Sequence, residues 1–134
     1  MALERVTRKI TVFGGEDLPA GNHVILRIPN PIRTAAQKRE CAVTGLQFGR
    51  VILRAKNPLQ VKVYRESGYW VHEIEELNIW SAEKDFETSR AYFRDHLLHL
   101  YQEYMQMTTA TATRKALAMK RRFEAAFPLE EIVA

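Results

Sequence analysis

The sequence predicts an α+β protein in which a mainly antiparallel sheet of five to seven strands is covered on one face by a long amphipathic helix. Apolar and polar side chains alternate repeatedly through the first 80 residues, which is typical of half-buried strands. The dipeptide Ser67-Gly68 separates two such runs, and so short a connection permits only an antiparallel hairpin. Residues 86–107 instead repeat apolar side chains at helical spacing, which predicts the long helix.

We expect a single domain, residues 1–134, with three successive parts. Residues 1–57 form a β-rich N-terminal part, residues 58–108 a β-β-β-α unit, and residues 112–127 a basic C-terminal helix. In the first part, apolar and polar side chains alternate in residues 5–13 and again in residues 23–28, and a glycine-rich loop separates the two segments. We therefore expect these two strands to pair as a hairpin.

Glycine and proline mark the boundaries of the following strands. Gly45 and Gly49 interrupt the next extended segment and predict bulges or bends there. Asn57-Pro58 is expected to end that segment, because proline has no amide hydrogen to donate to a ladder. Residues 59–64 and 69–74 alternate on either side of the Ser67-Gly68 turn and form the clearest predicted hairpin.

Two helices are predicted in the second half of the chain. Asp85 is a suitable N-cap for the first, because its carboxylate can accept from the amide of Glu87 or Thr88. A short run of threonine and alanine then links it to the second helix, which Pro128 ends. The apolar stripe of the first helix is Phe86, Phe93, Leu97, Leu100, Tyr104 and Met107, and that of the second is Ala116, Met119, Phe123 and Phe127.

Charge is unevenly distributed along the chain, whose 134 residues carry a net charge of +4. Residues 1–67 contain 12 Lys/Arg and 5 Asp/Glu, a balance of +7, and residues 68–134 contain 8 and 11, a balance of −3. No apolar run approaches the ~20 residues of a membrane helix, and a signal peptide is not evident at the start. We therefore expect a soluble cytoplasmic protein.

The motifs of common catalytic and metal sites are incomplete in this sequence. His96, His99 and Glu103 share one side of the long helix but lack a fourth ligand. His72-Glu73 has no second histidine at the spacing of a zinc-protease helix, and the Gly14-Gly15 pair lacks the lysine of a P-loop. Cys41 has no evident catalytic partner and is expected to be a packed strand residue. We predict a non-enzymatic protein without catalytic residues, cofactor or metal.

Residues 59–107 contain Leu-Gln-Val-Lys-Val-Tyr, a glycine-containing turn, Tyr-Trp-Val-His-Glu-Ile, and Glu-Glu-Leu-Asn-Ile before the long helix. In this order they resemble the HicB-like antitoxin module. Glu75-Glu76-Leu77 matches the family's turn, Ile79-Trp80 its short strand, and residues 85–89 its helix cap. Glu83 and Ser89 stand where the family has glycine and alanine. The resemblance implies a β-β-β-α unit with a partial double-stranded-RNA-binding shape, whose usual task is to occupy a small basic RNase toxin.

The charge pattern supports the same class of function independently. Acidic residues predominate from Glu73 to Glu103, and an acidic surface suits a cationic partner. We predict a protein-binding module, antitoxin-like in the terms of the resemblance, that contacts a basic, toxin-like protein. The chain itself is expected to form a homo-oligomer. The predicted partner-binding residues are Glu73, Glu75, Glu76, Trp70 and Trp80.

The basic regions predict an alternative function in nucleic-acid binding. Lys and Arg side chains can neutralise phosphates and release counterions, and the N-terminal half and the last helix are both rich in them. In this alternative the protein is a regulator that binds DNA or RNA. The predicted nucleic-acid-binding residues are Arg50, Arg54, Lys56, Arg114, Lys115, Arg121 and Arg122.

Overall fold

The computed structural model describes residues 6–10, 21–28, 41–110 and 112–133. These residues form seven strands, a 3-10 turn at Glu75–Leu77 and two α-helices. The strands are β1 (Val6–Ile10), β2 (Asn22–Arg27), β3 (Cys41–Phe48), β4 (Val51–Glu66), β5 (Tyr69–Ile74), β6 (Ile79–Glu83) and β7 (Leu129–Val133), and the helices are α1 (Phe86–Gln106) and α2 (Arg114–Ala126).

The sheet is mainly antiparallel, which confirms the predicted α+β class. Its strand order is β1-β7-β4-β3-β2, and β4 continues into a second ladder with β5 and then β6. The predicted hairpin of β1 with β2 is wrong, because these strands lie at opposite ends of the order. β1 instead pairs in parallel with β7, a strand that the sequence did not predict. Alternation identifies β1 as a strand but carries no information about its partner.

The strand β4 is continuous where the sequence predicts a break. Val43 of β3 pairs with Leu59, whereas Gly45 pairs with Arg54, so residues 55–58 form a bulge on β4. Pro58 lies in this bulge, where its missing amide costs no ladder hydrogen bond. The register shift between Val43 and Gly45 confirms the bulge predicted at Gly45. A Cβ atom on Gly45 would lie 2.9 Å from the carbonyl oxygen of Leu53, so a larger residue does not fit there. Beyond the bulge β4 pairs with β3 as far as Val61, and from Lys62 it pairs with β5.

The predicted hairpin at Ser67-Gly68 is confirmed. Glu66 pairs with Tyr69, and Ser67 and Gly68 connect them with φ angles of 52° and 83°. Positive φ at both central residues matches the right-handed twist of the two strands. Gly49 and Arg50 form the two-residue turn between β3 and β4, in which only Gly49 has a positive φ, of 61°.

Helix α1 begins as predicted and buries a wider arc than predicted. The Asp85 carboxylate accepts from the amide and the hydroxyl of Thr88, both at 2.9 Å, which confirms the N-cap. Leu100 and Tyr104 of the predicted stripe are only half-buried. The arc is wider because α1 packs on the sheet and also against α2. The buried residues are Ser89, Arg90, Phe93, Leu97, Leu98 and Tyr101.

Helix α2 docks through the apolar side that the sequence predicts. Thr113 caps its first turn by accepting from the amide of Ala116 at 3.1 Å. Phe123 and Phe127 are buried against Tyr101 of α1, with ring centroids 6.2 and 6.0 Å away. Within the described helices, none combines the length and apolarity needed to cross a membrane.

Candidate functional site

The ladder formed by the end of β4 with β5 and β6 has two unlike faces. One face carries Trp70, His72 and Ile74 and packs against α1. Pairing of Tyr64 with Val71, Glu66 with Tyr69, and Glu73 with Trp80 gathers aromatic and acidic side chains on the other face. We call this set the aromatic–acidic face: Tyr64, Glu66, Tyr69, Val71, Glu73 and Trp80.

The rings of the aromatic–acidic face are unusually exposed. Trp80 is 57% exposed, Tyr69 41% and Tyr64 37%, while Val71 is buried between them. The side chains surround a shallow cavity of about 440 Å³. Contiguous exposed aromatic surface forgoes roughly 25 cal/mol of burial free energy per Å² and is characteristic of interaction sites. This face is therefore the candidate functional site.

The electrostatic character of the face is negative. The Tyr64 hydroxyl donates to Glu73 Oε1 at 3.4 Å. Partial burial and the negative charges of Glu73 and Glu66 raise the pKa of Tyr64. Lys62 lies beside these residues, but its Nζ is 2.7 Å from Glu75 Oε1. The carboxylates of Glu66 and Glu73 therefore make the electrostatic potential of the face negative.

The structure divides the predicted partner-binding residues into three places. Glu73 and Trp80 lie together on the aromatic–acidic face. Glu75 and Glu76 lie beyond it in the 3-10 turn, and both are exposed. Trp70 lies on the opposite face of β5, where its ring packs edge-on against Phe86 with centroids 5.2 Å apart. It is therefore half-buried under the start of α1.

Tyr64, Glu66 and Tyr69 belong to the face but were absent from the predicted site. Tyr64, Tyr69 and Trp70 lie close together in the sequence, which also predicts the hairpin that contains them. The closeness of the rings and the predicted hairpin together indicate which side chains share a face, because a two-residue turn fixes which residues oppose each other. The contribution of Trp80 depends on the pairing of β6, which no local pattern specifies.

The predicted nucleic-acid-binding residues lie on β4, on α2 and in the turn after β3. Arg50 occupies the turn after β3, and Arg54 is half-buried on β4. Arg122 borders a 420 Å³ cavity together with Lys56 and Glu76. It also borders a 510 Å³ cavity together with Lys115 and Glu75. The predicted acidic edge and the basic helix therefore meet, and each reduces the potential of the other. Four cations are exposed on α2: Arg114, Lys115, Arg121 and Arg122.

A buried polar network joins β5 and β6 to α1 on the other face of the ladder. Ser81 Oγ donates to the carbonyl oxygen of Ser89 at 2.7 Å, and Ser89 Oγ donates to that of Trp70 at 2.9 Å. Because the single Ser89 hydroxyl proton is thereby used, His72 Nδ1 donates to Ser89 Oγ at 2.8 Å. His72 and Ser89 have no exposed surface, so this His–Ser pair connects two elements of the core.

His72 is held in its neutral form by its surroundings. Burial, together with the positive charges of Arg90 and Arg94, lowers the pKa of His72 from 6.5 to about 4. Its ring packs against Phe86 and Phe93, at centroid distances of 5.1 and 6.0 Å. Its Nε2 atom has no hydrogen-bond partner within the residues that the structure describes. Protonation would therefore place an unsolvated charge in the core.

Cys41 is buried in β3, which confirms its predicted role as a packed strand residue. Burial raises the pKa of the Cys41 thiol, although the charges of Arg90 and Arg94 act in the opposite direction. Arg90 Nη2 donates to Cys41 Sγ at 3.7 Å, and its guanidinium lies 4.6 Å from the centroid of the Phe86 ring. A thiol in this environment is poorly reactive.

The histidines of α1 lie at the surface. His99 Nε2 is 3.4 Å from Glu103 Oε1, and His96 is exposed one turn earlier. Among the described residues, no three His, Cys, Asp or Glu side chains are grouped closely enough to hold a metal ion.

Comparison of the chain with protein-family models, with curated proteins and with solved structures finds no match. The resemblance of residues 59–107 to the HicB-like module therefore stays a prediction. The ladder does have the order β4, β5, β6 followed by α1.

Proposed function

We propose that this protein is a binding module that recognises a basic segment of a partner protein through the aromatic–acidic face. The observation that carries the proposal is the exposure of Tyr64, Tyr69 and Trp80 on one face that also holds Glu66 and Glu73. In the terms of the HicB-like resemblance, the partner is a small basic toxin.

Aromatic rings and carboxylates together favour lysine and arginine side chains. A cation over an aromatic face gains about 0.5–1 kcal/mol at an exposed site and about 2 kcal/mol when desolvated. Glu73 lies directly across the ladder from Trp80, and Glu66 lies across from Tyr69, so each of these rings has a carboxylate beside it. The rings also supply apolar surface for the methylene stems of long basic side chains.

Trp80→Ala should weaken binding of the partner at least about thirtyfold, because an exposed tryptophan at the centre of a contact is a typical hot spot worth about 2 kcal/mol. Glu73→Gln should weaken it about threefold at low salt and reduce its salt dependence. The partner is first co-purified with the wild-type chain from the native host and identified by mass spectrometry. Affinities of the purified pair are then measured by calorimetry.

Two variants serve as controls for this experiment. Tyr92→Ala removes an equally exposed ring, 54% exposed, from α1 and should leave the affinity unchanged. Arg121→Ala/Arg122→Ala removes two exposed cations from α2 and should not weaken binding of a basic partner. A captured protein that is acidic, or one that binds Trp80→Ala as tightly as the wild type, contradicts the proposal.

The exposed cations of α2 favour nucleic-acid binding as the second candidate function. This alternative predicts that duplex DNA or RNA binds at low salt, with a slope of log affinity against log salt that steepens by about 0.9 for each phosphate contact on DNA. Arg121→Ala/Arg122→Ala should then make that slope shallower by up to about two units for all sequences. Fluorescence anisotropy over a salt series measures it. Absence of binding by the wild type rejects the alternative.

A further inference from the structure

The edge strand β6 is the boundary of the aromatic–acidic face. Its five residues, Ile79–Glu83, pair with β5 on one side. Within the described ranges, no strand pairs with its other side. Among those residues, the outward amide and carbonyl groups of this edge have no strand partner, and an additional strand can pair with them.

β6 differs from β1, another edge strand of the sheet. In the pairing of β1 with β7 the register shifts between Val6 and Arg8, so β1 itself carries a bulge. Such bulges disrupt an edge and discourage further pairing. The register of β6 is regular from Ile79 to Glu83, and no proline or lysine interrupts the strand. Its regular edge is therefore suited to strand addition.

We infer that the basic segment binds as an extra β-strand along β6, with alternate basic side chains lying over Trp80. The inference rests on the proposed function and specifies its geometry. A strand added about 4.8 Å from β6 places every second side chain on the aromatic–acidic face, beside Trp80 and Ala82. A lysine or arginine there reaches the Trp80 ring and extends toward Glu73, the residue that pairs with Trp80.

The partner segment should therefore have a recognisable chemistry. One side of it carries lysine or arginine at every second position, and the other side carries small or β-branched residues. Backbone hydrogen bonds to β6 provide affinity that is independent of sequence, while the ring and the carboxylates select the basic side.

Three synthetic nonapeptides of alternating threonine and lysine test the inference. The first is unmodified, the second is N-methylated at every threonine and the third at every lysine. In an added strand only every second amide points toward β6. Depending on whether the peptide runs parallel or antiparallel to β6, these are the threonine amides or the lysine amides, so pairing needs only one of the two sets. We expect one methylated peptide to bind at least about tenfold more weakly than the unmodified peptide, because two or three backbone hydrogen bonds are lost. The other methylated peptide should bind with the same affinity as the unmodified one.

Binding is measured by NMR titration of the wild-type protein and of Trp80→Ala, with hydrogen exchange of the β6 amides recorded in each complex. The unmodified peptide should slow exchange in β6 and bind Trp80→Ala more weakly. Equal affinities for the two methylated peptides, whether high or low, overturn strand addition. The proposed function nevertheless stands if the partner still requires Trp80. A wild-type chain that already dimerises through β6 and binds no peptide also overturns the inference.

Discussion

The free energy of unfolding should fall by about 3 kcal/mol when the pH is lowered from about 7 to 4, and His72 should account for this fall. The pKa of His72 is about 4 in the folded protein, whereas an unfolded chain leaves it at the ordinary histidine value of 6.5. Between these values the unfolded state binds a proton that the folded state does not bind, so acid favours unfolding. The loss begins near pH 6.5, proceeds by about 1.4 kcal/mol per pH unit, and levels off below about pH 4.

Urea denaturation at pH 7, 6, 5 and 4 measures this dependence, with His72→Asn as the matched variant. An asparagine amide can replace the Nδ1 donor toward Ser89 but does not titrate. The comparison is between pH values within each protein, so a general loss of stability in the variant does not affect it. Asp85 has a pKa lowered by its hydrogen bonds from Thr88, so its own loss of stabilisation falls mainly below this range. Equal slopes in the two proteins would falsify the assignment to His72.

Phe93→Ala should lower the free energy of unfolding by about 3–5 kcal/mol, which is the cost of removing a large apolar side chain from a packed core. Phe93 is fully buried on α1 and stacks on His72 with their centroids 6.0 Å apart. Truncation would therefore also admit water or loosen packing beside the buried network. The midpoint and slope of chemical denaturation, with circular dichroism to confirm folding, give the change.

The neighbouring residue provides the control for this substitution. Tyr92 is 54% exposed, so Tyr92→Ala should change the free energy of unfolding by no more than about 0.5 kcal/mol. A cost below about 1 kcal/mol for Phe93→Ala would contradict the burial of α1 against the sheet. Trp80→Ala should resemble Tyr92→Ala in stability, which separates its binding effect from any effect on folding.

The pH prediction and the proposed function concern opposite faces of the same strands. His72 points toward α1, and its strand neighbours Val71 and Glu73 belong to the aromatic–acidic face. The ladder thus has the aromatic–acidic face, the proposed binding surface, on one side, while the hydrogen bonds of Ser81, Ser89 and His72 connect its other side to α1. Acid should therefore weaken partner binding indirectly, by reducing the folded fraction.

Part of the fold could be predicted because neighbouring residues decide it. The Ser67-Gly68 turn, the Asp85 cap and the apolar side of α2 each depend on residues within a few positions. The break predicted at Asn57-Pro58 is wrong because it rests on the residue alone, whereas the bulge opposite Gly45 accommodates a proline inside β4. Burial of Arg90 was missed for a similar reason, because periodicity treats arginine as polar wherever it occurs.

The sequence by itself determined the α+β class, the central hairpin, both helices and the presence of acidic and aromatic residues near β5. Tertiary structure alone decided that β1 pairs with β7, that Trp70 and Trp80 lie on opposite faces, and that the basic helix α2 meets Glu75 and Glu76. The physical reason is the range of the interactions. Turns, caps and amphipathic periods are set by contacts along the chain, whereas strand partners and surface neighbours are set by packing between segments far apart in sequence.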